Sequence, residues 1–191
     1  MDIIKAIEVF AFVTGILYVV LEIGQKNLMW VVGILTGAAC AYSFGAQRIY
    51  ASMGLNIYYV VVSCIGIRQW RRDGAQVAEG AIHLQRLTRR TGLWSAAVFV
   101  VGSLLLIALL RALGDPESPI DAIVTVMSAI GTWWLAKSYP EQWMVWIVAD
   151  VVSCVLCIRA GLYWMSVLYL AYAVSAVYGY FHWMRKGTYI E

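Results

Sequence analysis

Long apolar runs alternate with short polar breaks along this chain. Seven runs stand out, at 6–23, 28–46, 51–69, 93–112, 119–137, 141–159 and 162–184. Each is close to the ~20 residues that an α-helix needs to cross the hydrocarbon layer of a bilayer. None shows the apolar–polar alternation of a barrel strand. Glycines interrupt several runs, which membrane helices tolerate. The pattern predicts an all-α integral membrane protein of seven transmembrane helices. The first run starts within a few residues of Met1, with no basic lead beyond Lys5 and no small-x-small cleavage site, so it reads as a retained span.

Composition agrees with the pattern. Of 191 residues, 62% are hydrophobic and 13% charged, and the mean hydropathy is +0.76. A soluble domain has roughly a quarter of its residues charged. The net charge of +3 carries no nucleic-acid signal, because the basic residues sit in loops where topology accounts for them. The longest loop, Arg68 to Thr91, holds Arg68, Arg71, Arg72, Arg86, Arg89 and Arg90. The positive-inside rule makes it cytoplasmic. The N-terminus is then outside and the C-terminus inside, with ten basic residues inside and four outside. A headgroup or partner site is the other reading of the basic loop. The Pro-containing acidic loop 114–119 falls outside.

Sliding the chain along itself by 113 residues gives a gapless match. Trp30 falls on Trp143, Tyr50 on Tyr163, Leu55 on Leu168 and Tyr59 on Tyr172. Gly66 falls on Gly179, Trp70 on Trp183, Arg72 on Arg185, Gly74 on Gly187, and Glu8 on Asp121. The shift carries runs 1–3 onto runs 5–7 and leaves run 4 as a connector. The predicted organisation is a first three-helix bundle over 1–74, a basic loop and connector helix over 75–118, and a second bundle over 119–191. A single connector makes both bundles cross in the same direction, which is the 3+1+3 parallel repeat of SWEET-like carriers. A substrate site is expected at the bundle interface near mid-membrane.

The chemistry concentrates on run 6, at Trp143, Trp146 and Asp150. At about 100° per residue these three share one helix face. A carboxylate at membrane depth is expensive and usually faces protein or a water-filled cavity. An aromatic wall beside an anion suits a flat cation, through stacking, cation–π contact and ion pairing. The competing roles are a buried helix–helix hydrogen bond for Asp150 and an interfacial anchor for Trp143.

In the first repeat the equivalents are Trp30, Gly33 and Gly37. The two glycines fit close helix packing or space left for a ligand, and these roles are compatible. Asn56 and Tyr59 share a face of run 3, and Tyr169 and Tyr172 lie on run 7; each can bind a ligand or join helices. Glu8 and Asp121, near helix starts, read first as caps and second as a cation-attracting vestibule.

Other chemistries find no support in the sequence. Cys40, Cys64, Cys154 and Cys157 all lie in apolar runs, where free Cys behaves as a small hydrophobe. His83 and His182 are not paired with each other or with other ligands. No metal cluster, phosphate-binding loop or catalytic triad is present, so no metal, cofactor or ATP hydrolysis by the chain is expected. A small membrane enzyme would need a nucleophile or an acid/base pair, and Asp150 has no His partner. A receptor or a subunit dependent on a separate ATPase would not need two equivalent bundles.

With these residues in place, the sequence resembles the PnuC family of bacterial vitamin transporters from about Ala6 to Gly187. The resemblance rests on Trp30 with Gly33, the stretch Tyr50–Tyr59, and Gly66 with Trp70. In the second half it rests on Glu141–Trp146 with Asp150, and Gly179 with Trp183. The family's W-x-x-W-x-x-x-N/D pattern is met by Trp143, Trp146 and Asp150. The resemblance implies a SWEET-like fold, facilitated diffusion trapped by cytoplasmic phosphorylation, and a homo-oligomer, as a trimer. It implies the two Trp and Asp150 as ligand contacts, and a bacterial inner-membrane location. It also implies a cationic aromatic vitamin as substrate, nicotinamide riboside first and thiamine second. Relatives that carry nicotinamide riboside often have Asn at the last motif position and Gln near Asn56, and this chain departs from both.

Overall fold

A computed structural model describes residues 3–47, 50–112, 119–159, 161 and 163–190. The side chains of Glu8 and Asp121 and the loop residues 114–118 lie outside the described residues. The described chain forms seven helices: α1 (Ile3–Ile23), α2 (Leu28–Ala46), α3 (Tyr50–Gly74), α4 (Arg89–Ala112), α5 (Pro119–Ala136), α6 (Gln142–Arg159) and α7 (Tyr163–Lys186). Six of the seven agree with the apolar runs to within four residues at either end. Helix α3 is the exception: it runs on through the arginines to Gly74. Among the described residues, α2, α4 and α6 are long and apolar enough to cross a membrane, and Phe12–Ile23 and Ala122–Ala136 are shorter apolar helices.

Burial has the sense expected of a protein in lipid. Helix α4 is rich in Leu and Ala, which are good helix formers. Hydrocarbon, with no water to satisfy backbone groups, favours helix as well. Its large side chains point outward, with Leu93 74% exposed, while Ser103 is buried. Thr132, Ser166 and Asp150 are buried too. Small and polar groups, together with a few fully buried indoles, therefore sit at the helix–helix contacts, and many bulky aliphatic side chains face outward.

The chain divides into two compact units. The first contains residues 1–85, 135–140 and 181–191. In it α2 packs on both α1 and α3. Thr36 on α2 donates to Thr14 on α1 at 2.8 Å. The indole of Trp30 lies flat on the backbone of α3 at Gly66, where a Cβ would stand 2.5 Å from the ring. Two short strands join this unit. The three-residue β1 (Ile82–Leu84) pairs in parallel with β2 (Gly187–Tyr189), with Ile82 opposite Gly187. Ile82–Leu84 falls in the stretch that the apolar pattern assigns to the loop from Arg68 to Thr91.

The second unit contains residues 86–134 and 141–180. Trp134 on α5 donates to Ser95 Oγ on α4 at 3.0 Å, and Gly102 on α4 lies against Val126 on α5. The indole of Trp143 on α6 covers Gly179 on α7, where a Cβ would stand 2.6 Å from the ring.

Several local geometries recur at the 113-residue offset. Trp30 on Gly66 and Trp143 on Gly179 are one such pair. Gln25 and Ser138, at the same offset, are the non-glycine residues with positive φ among those described, at 48° and 57°. This conformation costs about 1–2 kcal/mol for a residue with a Cβ. It ends α1 and α5 in the same way, with Gln25 N donating to Glu22 O and Ser138 N to Leu135 O, each at 2.9 Å. Trp70 and Trp183 also match at the offset and bond similarly, with acceptors one residue out of register: Trp70 Nε1 donates to Leu135 O and Trp183 Nε1 to Ile23 O, both at 3.1 Å.

These contacts predict that Gly66→Ala and Gly179→Ala each force an indole off its neighbouring helix. Overpacking of this kind costs about 1–3 kcal/mol, so each variant should melt several degrees lower by tryptophan fluorescence in detergent. Gly54→Ala, where nothing lies within 4 Å, is the control that should melt unchanged. A second prediction concerns His83, in β1 outside the helices. Burial pushes its imidazole below the usual histidine range, partly opposed by Asp73. Unfolding frees His83 to take a proton, so its contribution to stability is present above about pH 6.5 and is lost as pH falls below that value. The melting temperature should drop between pH 7 and 5, and His83→Gln should flatten that drop.

Candidate functional site

Helix α6 begins at Gln142, so Asp150 lies ~12 Å along it at 1.5 Å per residue. Two faces are distinct. Met144, Val148, Val151, Val155 and Ile158 are exposed. Gln142, Trp143, Ala149 and Asp150 are buried, with Trp143 1% and Asp150 9% exposed. The shared face read from the sequence thus points into protein.

The two indoles do different things. Trp143 is sealed against Gly179 and does not face headgroups. Trp146 is only half-buried. Its ring edge lies against α5 at Gly131, where a Cβ would stand 3.4 Å from Cε2. Its Nε1 is buried and makes no hydrogen bond among the described residues. An unmet buried donor costs about 1–3 kcal/mol, so Trp146 offers a ligand an N–H that the protein leaves unused. The Nε1 atoms of Trp30 and Trp143 likewise make no hydrogen bond among the described residues, but both of those side chains are sealed, at 0% and 1% exposed.

Asp150 makes no hydrogen bond or ion pair among the described residues. Its carboxylate is within electrostatic reach of Tyr169 and Tyr172 on α7. Those two rings form an edge-to-face pair with centroids 6.4 Å apart. Asp150, Trp146, Tyr169 and Tyr172 therefore belong to one unit, and no Lys or Arg lies on α5, α6 or α7 short of Arg159 and Arg185. A buried carboxylate without a protein partner favours a cation.

The remaining candidates sit in the first unit. Gly33 lies between Tyr18 of α1 and Ser63 of α3, each 3.0 Å from the site of a Cβ. Gly37 faces Val60 of α3 at 3.0 Å. Both glycines thus stand at close helix contacts. Asn56 donates its amide to Ser52 O, one turn back on α3, at 2.9 Å. Tyr59 pairs with Tyr58, centroids 6.0 Å apart. Sequence reasoning passed over Tyr18 and Glu22. Glu22 is buried near the end of α1, and Tyr18 lies within electrostatic reach of it and of Tyr59. The signal was available, since 18 and 22 are one turn apart on one face.

Apolar helices with bulky side chains turned outward, and acids and aromatic rings turned inward, define a polytopic membrane protein. The chain belongs to the family described as nicotinamide mononucleotide transporter, whose model matches residues 5–185. It is 29% identical to the nicotinamide riboside transporter PnuC of Neisseria mucosa, over 92% of this chain and 70% of that protein. It is 25% identical to the Haemophilus influenzae protein of the same name, over 91% and 76% of the two chains. The riboflavin/roseoflavin transporter RibM of Streptomyces davaonensis is 24% identical, over 91% and 82%. The crystal structure of the vitamin B3 transporter PnuC superposes with a TM-score of 0.72 at 29% identity, covering 95% of this chain and 81% of that one.

The different settings of the two indoles predict different mutant phenotypes. Trp143→Ala empties a sealed contact and should destabilise the protein by about 3–5 kcal/mol. Trp146→Ala should melt within a few degrees of wild type while losing ligand affinity at least tenfold. Melting curves and binding titrations on the two variants separate these outcomes.

Proposed function

We propose that this protein is a facilitator that carries nicotinamide riboside across the bacterial inner membrane, without ATP hydrolysis or other catalysis of its own. The observation that carries the reading is Asp150, a buried carboxylate with no counter-ion among the described residues, on the same helix as an indole with an unused N–H. Nicotinamide riboside supplies a flat ring with a fixed positive charge. Stacking on Trp146 with the charge toward Asp150 would satisfy both groups.

The same argument favours the riboside over the mononucleotide in the family's description. A phosphate needs Lys, Arg or a helix N-terminus, and α5, α6 and α7 carry no basic residue before Arg159 and Arg185. It also favours the riboside over riboflavin, a neutral ring system that makes no use of Asp150. Thiamine, with its thiazolium cation, fits the same physical description.

In this reading Trp146, Asp150, Tyr169 and Tyr172 contact the ligand and Trp143 holds the helix that presents them. Asn56 and Tyr59 are the candidates for the same role in the first repeat, where Gly33 and Gly37 serve packing. The chain is organised as two three-helix repeats, α1–α3 and α5–α7, joined by α4. The recurrence of the Trp–Gly contact and of the two positive-φ helix ends at one offset supports this organisation. The N-terminus lies outside and the C-terminus inside, and the chain assembles as a homotrimer.

The test is a flux measurement. Purified protein in liposomes should equilibrate labelled nicotinamide riboside down its gradient without ATP or an ion gradient. Unlabelled mononucleotide and riboflavin should compete at least tenfold more weakly than unlabelled riboside. A thiamine arm decides between the two cationic vitamins. Asp150→Ala combined with Trp146→Ala should abolish flux in protein that still elutes as one folded species. Flux that persists in the double variant would remove this site.

A further inference from the structure

Residues 82–84 follow the end of α3 and are buried, and Gln85 is half-buried. Backbone groups of this segment and the Gln85 amide bond several separate parts of the first unit. The side chain of Gln25, in the turn after α1, acts like a neighbouring strand. Its Nε2 donates to His83 O at 2.9 Å and its Oε1 accepts from His83 N at 2.7 Å. Gln85 N donates to Ser138 O in the turn after α5 at 3.1 Å. Gln85 Nε2 donates to Asp73 Oδ2, at the end of α3, at 2.9 Å. Beyond α7, Ile190 N donates to Leu84 O at 2.9 Å, continuing the β1–β2 pairing.

One four-residue strap thus joins the helix ends at 25 and 73 to those at 138 and 187–190. The first two belong to the first proposed repeat and the last two to the second. The tie is reinforced by the crossed indole bonds, Trp70 to the last turn of α5 and Trp183 to the last turn of α1. Trp70 also meets Trp30, Trp183 and His83 edge-on, with centroids 5.0, 6.2 and 5.7 Å apart.

We propose that the strap at 82–85 is a fixed pivot that stays closed throughout the transport cycle, so that substrate is admitted and released by movement of other helix ends. The alternative is an inner gate that parts on every turnover. A gate of this construction would have to break every bond of the strap and wet a buried aromatic cluster. Transport gates are built from lightly held segments that open in microseconds to milliseconds. A buried, cross-bonded knot is a poor gate and a good hinge support.

The inference rests on the proposed transport activity, and two measurements separate its failure from that of the activity. The first is a cross-link. His83 and Thr188 are partners in the parallel pair, and paired strands lie ~4.8 Å apart, within the span of a disulfide. The bonds of His83 to Gln25 are made by its backbone, so His83→Cys with Thr188→Cys keeps them. In proteoliposomes, the oxidised double variant should carry riboside within twofold of the same protein reduced. A tenfold or greater loss that dithiothreitol reverses would overturn the pivot.

The second measurement is hydrogen exchange on the wild-type chain, which needs neither flux nor a variant. The amides of His83, Gln85 and Ile190 should stay protected, with rates unchanged when nicotinamide riboside is added. Exchange as fast as that of loop amides, or a tenfold change on adding riboside, would show the strap opening and sink the proposal. If the wild type moves no riboside, the transport reading falls and the exchange rates still decide whether the strap opens.

Discussion

The contact on which the site depends is an indole lying flat against a glycine. In α6 and α7, Trp143 covers Gly179 so closely that a single methyl group would collide with its ring. In lipid there is little hydrophobic drive to bring helices together, so close packing must supply the attraction. A Trp–Gly contact gives a large flat area and a backbone that can be approached. It also fixes the rotation of α6. Once Trp143 is held against α7, a helix of 3.6 residues per turn must turn Trp146 and Asp150 toward the same interior. Met144, Val148 and Val151 are then left to face lipid.

That division explains why adjacent members of one sequence pattern have different jobs. Spacing alone places 143, 146 and 150 on a common face and cannot rank them. The structure separates them by what each covers. Trp143 is consumed by packing. Trp146 is only partly covered. Asp150 is buried without a counter-ion among the described residues, a state that stabilises little by itself and, in the proposed reading, selects ligands by charge. The absence of basic residues deep in α5, α6 and α7 sharpens the same selection, because an anionic group on the ligand would meet no partner there.

How much of this was legible in the sequence differs from feature to feature. The helices were legible nearly to their ends, because lipid leaves the backbone one inexpensive option and hydropathy reports where it applies. The 113-residue offset was legible through Trp and Gly, whose matches at Trp30, Gly66, Trp143 and Gly179 prove to be the packing contacts themselves. The strands were not. Ile82–Leu84 and Gly187–Tyr189 are three residues each, too short for a period to register, and tertiary pairing alone makes them strands. Positive φ at Gln25 and Ser138 was equally hidden, because neither residue is Gly, Asn or Asp. His83 read as a loop histidine because its burial depends on partners at positions 25 and 70, far away in sequence.

These hidden features share a location, and that has a mechanical consequence. The strands, the two left-handed turns and the crossed Trp70 and Trp183 bonds all gather at one end of the first unit. They are specific, directional and poor in redundancy with the lipid-driven helices, which would form without them. A transporter needs freedom where the ligand passes and a fixed reference against which that freedom is expressed. In the proposed cycle the polar, hydrogen-bonded end would meet the second need, since it is held by several directional bonds. The α6 stripe would meet the first, with Trp146 and Asp150 turned to the ligand.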